Sequence, residues 1–204
     1  MPAASITRLK LLQESNNWDF DNFKTDDLDT TIQLIHLCAL CNELNEGDEA
    51  GEPPTNHWTM CLQLSPTSCV MLDMVPGYGS DGLRGKIETT SIGDKAYTEE
   101  TLRLFSYEPL KQVTVACVMA MISGRGRDQF TFSPEWEGCR FWISVVMKDF
   151  EEDGLVESGS AATAEEALRR YWINPEGSEP RVMREGVFRS MPGECTSDKN
   201  GKES

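Results

Sequence analysis

The sequence predicts an α+β fold: an antiparallel sheet of four to six strands packed on two main helices. Three observations predict it. Five apolar runs of strand length occupy residues 31–107, each bounded by polar, Gly or Pro segments. Two of them are joined by Ser65-Pro66-Thr67-Ser68, a hairpin signal. Two later runs, 113–122 and 139–152, repeat their apolar residues at helical spacing. A length of 204 residues fits one domain.

The elements follow in order. Residues 1–30 read as a polar N-terminal extension in which only Ile6–Leu12 can pair or pack. Thr31–Leu40 reads as a strand, with a short helix as the alternative. Residues 42–56 are acidic and rich in Gly and Pro, hence a loop. Strands follow at 58–64, 69–75, 85–91 and 102–107. In the 113–122 helix, Val113, Ala116, Cys117 and Ala120 share one face. Ser123-Gly124 suits its C-cap. In the 139–152 helix, Trp142, Val146 and Phe150 form an i, i+4, i+8 stripe, and Gly154 ends it. Thr163, followed by Glu165 and Glu166, reads as the N-cap of a short helix to Tyr171. The domain is expected over 31–190, with a disordered polar tail at 191–204.

Composition narrows the function classes. An apolar content of 39% with 26% charged residues fits a soluble protein with a real core. The net charge is −15, from 34 acidic against 19 basic residues. That argues against binding nucleic acid, which needs a basic surface, and against anionic membranes. No apolar run has the length of a membrane span, and the start lacks a secretory core. Seven cysteines are scattered among apolar residues, as in a reduced cytoplasmic protein.

The sharpest motif is Gly138-Cys139-Arg140-Phe141-Trp142. It puts Cys139 in the first turn of a helix, where partial positive charge and unpaired N–H groups stabilise a thiolate. The glycine before it lets the backbone turn sharply and leaves the thiol uncrowded. Upstream, Asn56-His57-Trp58 opens a strand, so His57 is the candidate base. The other histidine, His36, sits inside an apolar run and reads as a satisfied core residue. Asp73, on the neighbouring strand, is the candidate for orienting the imidazole, with Asn56, Glu88 and Gln63 as alternatives. Trp58, Trp136 and Trp142 read first as core and second as an aromatic lining for a substrate pocket, with Tyr78 and Arg84 beside them.

Other patterns carry less. Gly77-x-Gly79-x-x-Gly82 follows a strand but precedes no helix, so it is a glycine-rich loop at a pocket rim and not a dinucleotide site. Cys38-x-x-Cys41 has no second pair for zinc. Gly124-Arg125-Gly126-Arg127 is a solvated turn. No metal and no cofactor is implied.

The segments Asn56-His57-Trp58, Leu72-Asp73-Met74, Gly138-Cys139-Arg140-Phe141-Trp142 and Tyr171-Trp172-Ile173-Asn174-Pro175 resemble a family of fungal proteins catalogued as a domain of unknown function. The resemblance covers roughly residues 31–188. The order of a His strand before a Cys helix, the reverse of papain, also resembles the permuted papain-like families. These include the lecithin–retinol acyltransferase type and the PPPDE-type isopeptidases. Their helix begins Asn-Cys-x-x-Phe. Here Gly138 stands for the Asn and Trp142 for the Phe. The resemblance implies Cys139 as nucleophile and His57 as base.

The expected function is therefore a cytosolic thiol hydrolase or acyltransferase acting on an amide or thioester. Backbone N–H groups at the helix start would hold the oxyanion. The alternative is a non-covalent small-molecule protein of fungal secondary metabolism, a binder or a cyclase guiding a pericyclic step of the Diels–Alder kind. An interaction module without catalysis is the third reading. The first two take a small-molecule substrate or ligand.

Overall fold

Each of the five strand-like runs forms a strand, and together they make the body of one sheet. A computed structural model describes residues 2–41 and 54–189 of the chain. In chain order the elements are α1 (Pro2–Glu14), β1 (Trp18–Asn22), a 3-10 turn (Thr25–Asp29), β2 (Leu34–Leu40), β3 (His57–Ser65), β4 (Ser68–Tyr78), β5 (Arg84–Ile92) and β6 (Thr101–Tyr107). After these come α2 (Val115–Gly124), β7 (Phe130–Thr131), α3 (Cys139–Glu152), α4 (Ser160–Leu168), β8 (Arg170–Trp172), β9 (Ser178–Pro180) and β10 (Val187–Phe188). The main sheet has eight strands in the order β10-β7-β5-β4-β3-β2-β6, with β1 lying parallel alongside β5. Every other pair in it is antiparallel.

The two-residue period of a strand sorts the side chains of β3 onto opposite faces. Trp58, Met60, Leu62 and Leu64 enter the main core with residues of all four helices. Cys61, from the other face, joins Cys38, Leu40 and Cys69 in a smaller cluster, backed by Met71, Ile92 and Leu104. Both faces are thus buried, which is why these runs read as nearly continuous apolar sequence. His36 lies on the second face as a satisfied core residue. Its ring nitrogens meet Ser106 Oγ and Gln63 Oε1, both at 2.8 Å, and burial lowers its pKa.

Helix α3 spans the residues its pattern predicts. Trp142, Val146 and Phe150 are all buried on the sheet. Each such side chain contributes roughly 1.5–3 kcal/mol by leaving water. The Trp142 indole N–H also donates to Arg127 O at 2.7 Å, so its one polar atom is satisfied.

Elsewhere the structure corrects the sequence reading. Residues 2–30 are not an extension: α1, β1 and the 3-10 turn place Leu9, Leu12, Trp18 and Leu28 in the main core. A few well-spaced apolar residues anchor a segment that is otherwise polar. In α2 the buried residues include Val115, Val118, Met119 and Ile122, while Cys117 is exposed. This helix is apolar all round, so its sequence does not mark one face. Helix α4 begins at Ser160, and Thr163 bonds back to Gly159 O at 3.0 Å from inside it. Its first turn is capped from outside by Glu151, whose carboxylate accepts from Gly159 N and Ala161 N. Tyr171 belongs to β8. The sheet exceeds six strands because β1, β7 and β10 add short edges to it. Residues 191–204 lie outside the described part.

Candidate functional site

The site arises where two neighbouring strands part. The β3–β4 ladder runs from Ser65–Ser68 to Met60–Leu72 and stops. Beyond it β4 continues on β5 as far as Tyr78–Arg84, while β3 continues on β2 to His57–Leu40. The start of β3 and the end of β4 therefore lose each other as partners. The first turn of α3 meets this split, where Cys139 lies close enough to His57 and to the Trp58 backbone N–H for both to lower the thiol's pKa.

Across the same split, His57 Nε2 lies 2.8 Å and 2.9 Å from the two carboxylate oxygens of Asp73. The imidazole is 29% exposed and the carboxylate 14%. Asp73 thus sits behind the ring, and with Nε2 committed to it, Nδ1 is the nitrogen that remains for the thiol. Burial lowers the His57 pKa, but Asp73 and Cys139 outweigh it and raise the group to about 11. For Cys139, burial raises the thiol. Bonding to His57, the charges of His57 and Arg140, and the Trp58 N–H outweigh that and bring it below its ordinary value. A thiol moved down beside an imidazole moved up favours transfer of the proton from sulfur to nitrogen.

Two further features surround the start of α3. Glu137 accepts from Arg140 Nη2 and Arg181 Nη2, both at 2.6 Å, and both arginines are buried. Arg140 also donates to Leu168 O and Val182 O, and Arg181 to Pro54 O. Two cations on one carboxylate leave net positive charge beside the thiol. The first intrahelical bond of α3 runs from Trp142 N to Gly138 O at 2.8 Å, so the N–H groups of Cys139, Arg140 and Phe141 have no acceptor within the helix. The role of Gly138 differs from the one its sequence suggested. Its φ of 164° is extended backbone, open to any residue. A Cβ there would instead lie 2.8 Å from the Phe130 ring and 3.0 Å from the Phe132 ring. Glycine is present for space.

A cleft of about 580 Å³ opens over the pair, lined by His57, Cys139, Trp136 and Phe132 among others. Trp136 is 52% exposed and has a φ of 61°, uncommon for a large side chain. Its indole covers Gly82, where a Cβ would come within 2.6 Å of the ring. Trp136 thus rests on the 77–82 glycine loop at Gly82, though no residue of that loop lines the cleft.

The structure brings Cys139, His57, Asp73 and Trp136 together, and leaves the other candidates elsewhere. Trp58 and Trp142 are fully buried in the core and do not line the cleft; Trp58 stacks on Phe105. A tryptophan at a given position reads the same whether it faces a pocket or a core. Tyr78 donates to Glu88 at 3.4 Å, with Lys86 over its ring, and Arg84 starts β5 opposite Thr131. Neither lines the cleft. Of the alternatives to Asp73, Gln63 serves His36. Asn56 brackets the backbone of Trp172, accepting from its N at 2.6 Å and donating to its O at 3.0 Å. That contact links two segments of the family resemblance. Cys38 and Cys41 are not a pair: Cys38 packs 3.8 Å from Cys61, while Cys41 lines the cleft. Sequence reasoning missed Glu137 and Arg181. The i, i+3 spacing of Glu137 and Arg140 was a signal for the first, and nothing local marks the second.

No curated protein and no solved structure matches the chain. The profile of a family described as a domain of unknown function (DUF7770) matches residues 35–189, more than half of the chain, and the chain therefore belongs to that family.

Proposed function

We propose that this protein is a thiol hydrolase or acyltransferase in which Cys139 attacks the carbonyl carbon of an amide or thioester. The observation that carries the reading is the alignment of Asp73, His57 and Cys139 at one split in the sheet, open to a cleft. The Cys139 sulfur, as thiolate, forms the C–S bond. The carbonyl oxygen takes up the negative charge and is held by free N–H groups at the start of α3. His57, protonated, then gives its proton to the leaving amine or thiol as the tetrahedral carbon collapses to an acyl-enzyme. In the second half, His57 takes a proton from water or an acceptor, which attacks the thioester and frees Cys139. Asp73 keeps the imidazole oriented and stabilises its charged form. The arrangement is the one the permuted papain-like resemblance implies, and a reducing cytoplasmic setting would keep the thiol active.

The non-covalent alternative needs a pocket walled by aromatic side chains. With Trp58 and Trp142 in the core, Trp136 is the tryptophan left for it, so the thiol reading is favoured.

Competitive labelling tests the proposal. Cys41 and Cys117 are exposed, whereas Cys139 is only partly so. Exposure alone ranks Cys139 behind them. Activation by His57 and the helix start reverses the order. Limiting iodoacetamide near neutral pH, read by peptide mass mapping, should modify Cys139 first. Labelling of Cys117 and Cys41 ahead of Cys139 would refute the nucleophile.

A further inference from the structure

We infer that the cleft selects a substrate bearing a positive charge, an acyl amide with a lysine- or arginine-like group next to the scissile bond. This rests on the thiol reading above and extends it to substrate class. The argument is a census of charge along the walls. Three carboxylates line the cleft: Glu100, Glu135 and Glu137. Two basic side chains line it with them among the described residues, Arg140 and His57, and the His57 imidazole is paired with Asp73 at 2.8 Å.

Arg140 is not available to a ligand. It is 3% exposed and spends its donors on Glu137, Leu168 O and Val182 O. Glu137 is neutralised in turn by Arg140 and Arg181. What remains to face a substrate is Glu100 and Glu135, both exposed. Glu135 is held ionised. The nearby Ser133 side chain and its own backbone N–H bring its pKa down, with a smaller contribution from the charge of Arg184. The half-exposed indole of Trp136 lines the same cleft, and the face of such a ring attracts cations. With its positive groups buried or paired, a concave wall whose exposed charges are carboxylates enriches ligands of the opposite sign, by a factor of roughly 10 upward. The whole chain, at −15, adds to that field. The same census disfavours acyl donors carried on phosphate groups, since among the described residues no uncommitted basic side chain lines the cleft. Of the amide and thioester classes, the amide with a cationic flank is the one that fits.

Charged thiol reagents test this without a known substrate. Three methanethiosulfonates of similar size are used: neutral, cationic (trimethylammonium) and anionic (sulfonate). Each transfers its thioalkyl group to the thiolate, forming a disulfide and releasing methanesulfinate. Rates at Cys139 and at exposed Cys117 are read in the same intact chain at low ionic strength. The cation-to-anion rate ratio at Cys139 should exceed that at Cys117 by about tenfold. It should fall toward the Cys117 value in Glu100→Gln/Glu135→Gln, whose changes lie on the surface. Equal ratios at the two cysteines, or a ratio unmoved by the double substitution, overturn the inference. The neutral reagent separates the two proposals. A slow neutral rate at Cys139 counts against the nucleophile whatever the charge ratio, and a fast one with no charge preference counts against the cationic substrate alone.

Discussion

Cys139→Ser and His57→Ala are each expected to abolish nearly all turnover of a cationic amide substrate, by about 1,000-fold or more. In the proposed mechanism the two act as one unit: His57 takes the proton of the thiol and passes it to the leaving group, in line with a thiol pKa moved down and an imidazole pKa moved up. Losses within such a unit do not add, so the double variant should be no worse than either single one. Serine is nearly isosteric with cysteine but far harder to ionise, so the fold is kept while the nucleophile is lost. Purified variants are compared at equal folded fraction. Turnover within about twofold of the parent in Cys139→Ser would leave a non-covalent pocket as the better account.

Glu137→Ala should bring the largest loss of stability near the site. The substitution strands two buried guanidiniums that now share one carboxylate at 2.6 Å each. Removing one partner of a buried ion cluster costs about 3–5 kcal/mol, because the remaining charges stay desolvated and here also repel each other. Denaturant unfolding followed by fluorescence gives the midpoint and slope. Glu137→Gln, which keeps the acceptor oxygen, should lose less. A change under about 1 kcal/mol in the alanine variant would mean that water or other acceptors take over the two arginines.

The parts of the site written into local sequence were legible in it. Cys139 stands at a helix start, His57 opens a strand, and Asp73 lies on the strand that forms a hairpin with it. Each is a short-range signal, and the fold brings them together because β3 and β4 separate beyond Met60–Leu72. The long strands and α3 were legible for the same reason, since their apolar periods are strong. What failed to show has a common physical cause. The two-residue strands β7 and β10 are too short to have a period. Residues 2–30 contribute a few core side chains from a polar background, so only the tertiary contacts of Trp18 and Leu28 reveal their place. The second cation on Glu137 comes from Arg181, 44 residues away in the chain. Trp58 and Trp142 were ambiguous because large aromatics serve cores and pockets alike.

The central claim is that Cys139 and His57 share one proton in favour of nitrogen, and the pH dependence of Cys139 alkylation tests it most directly. In the unfolded chain the rate should rise through the ordinary thiol value, roughly 8.5. Burial without a partner would move that midpoint up in the folded protein. The account predicts the opposite: a midpoint below that of the unfolded chain, with reactivity lost only as pH falls through the lowered thiol value. His57→Ala should return it upward. Because His57 keeps its proton to about 11, no second rise should appear across neutral pH. A folded-state midpoint at or above the unfolded one, unchanged in His57→Ala, would contradict the account.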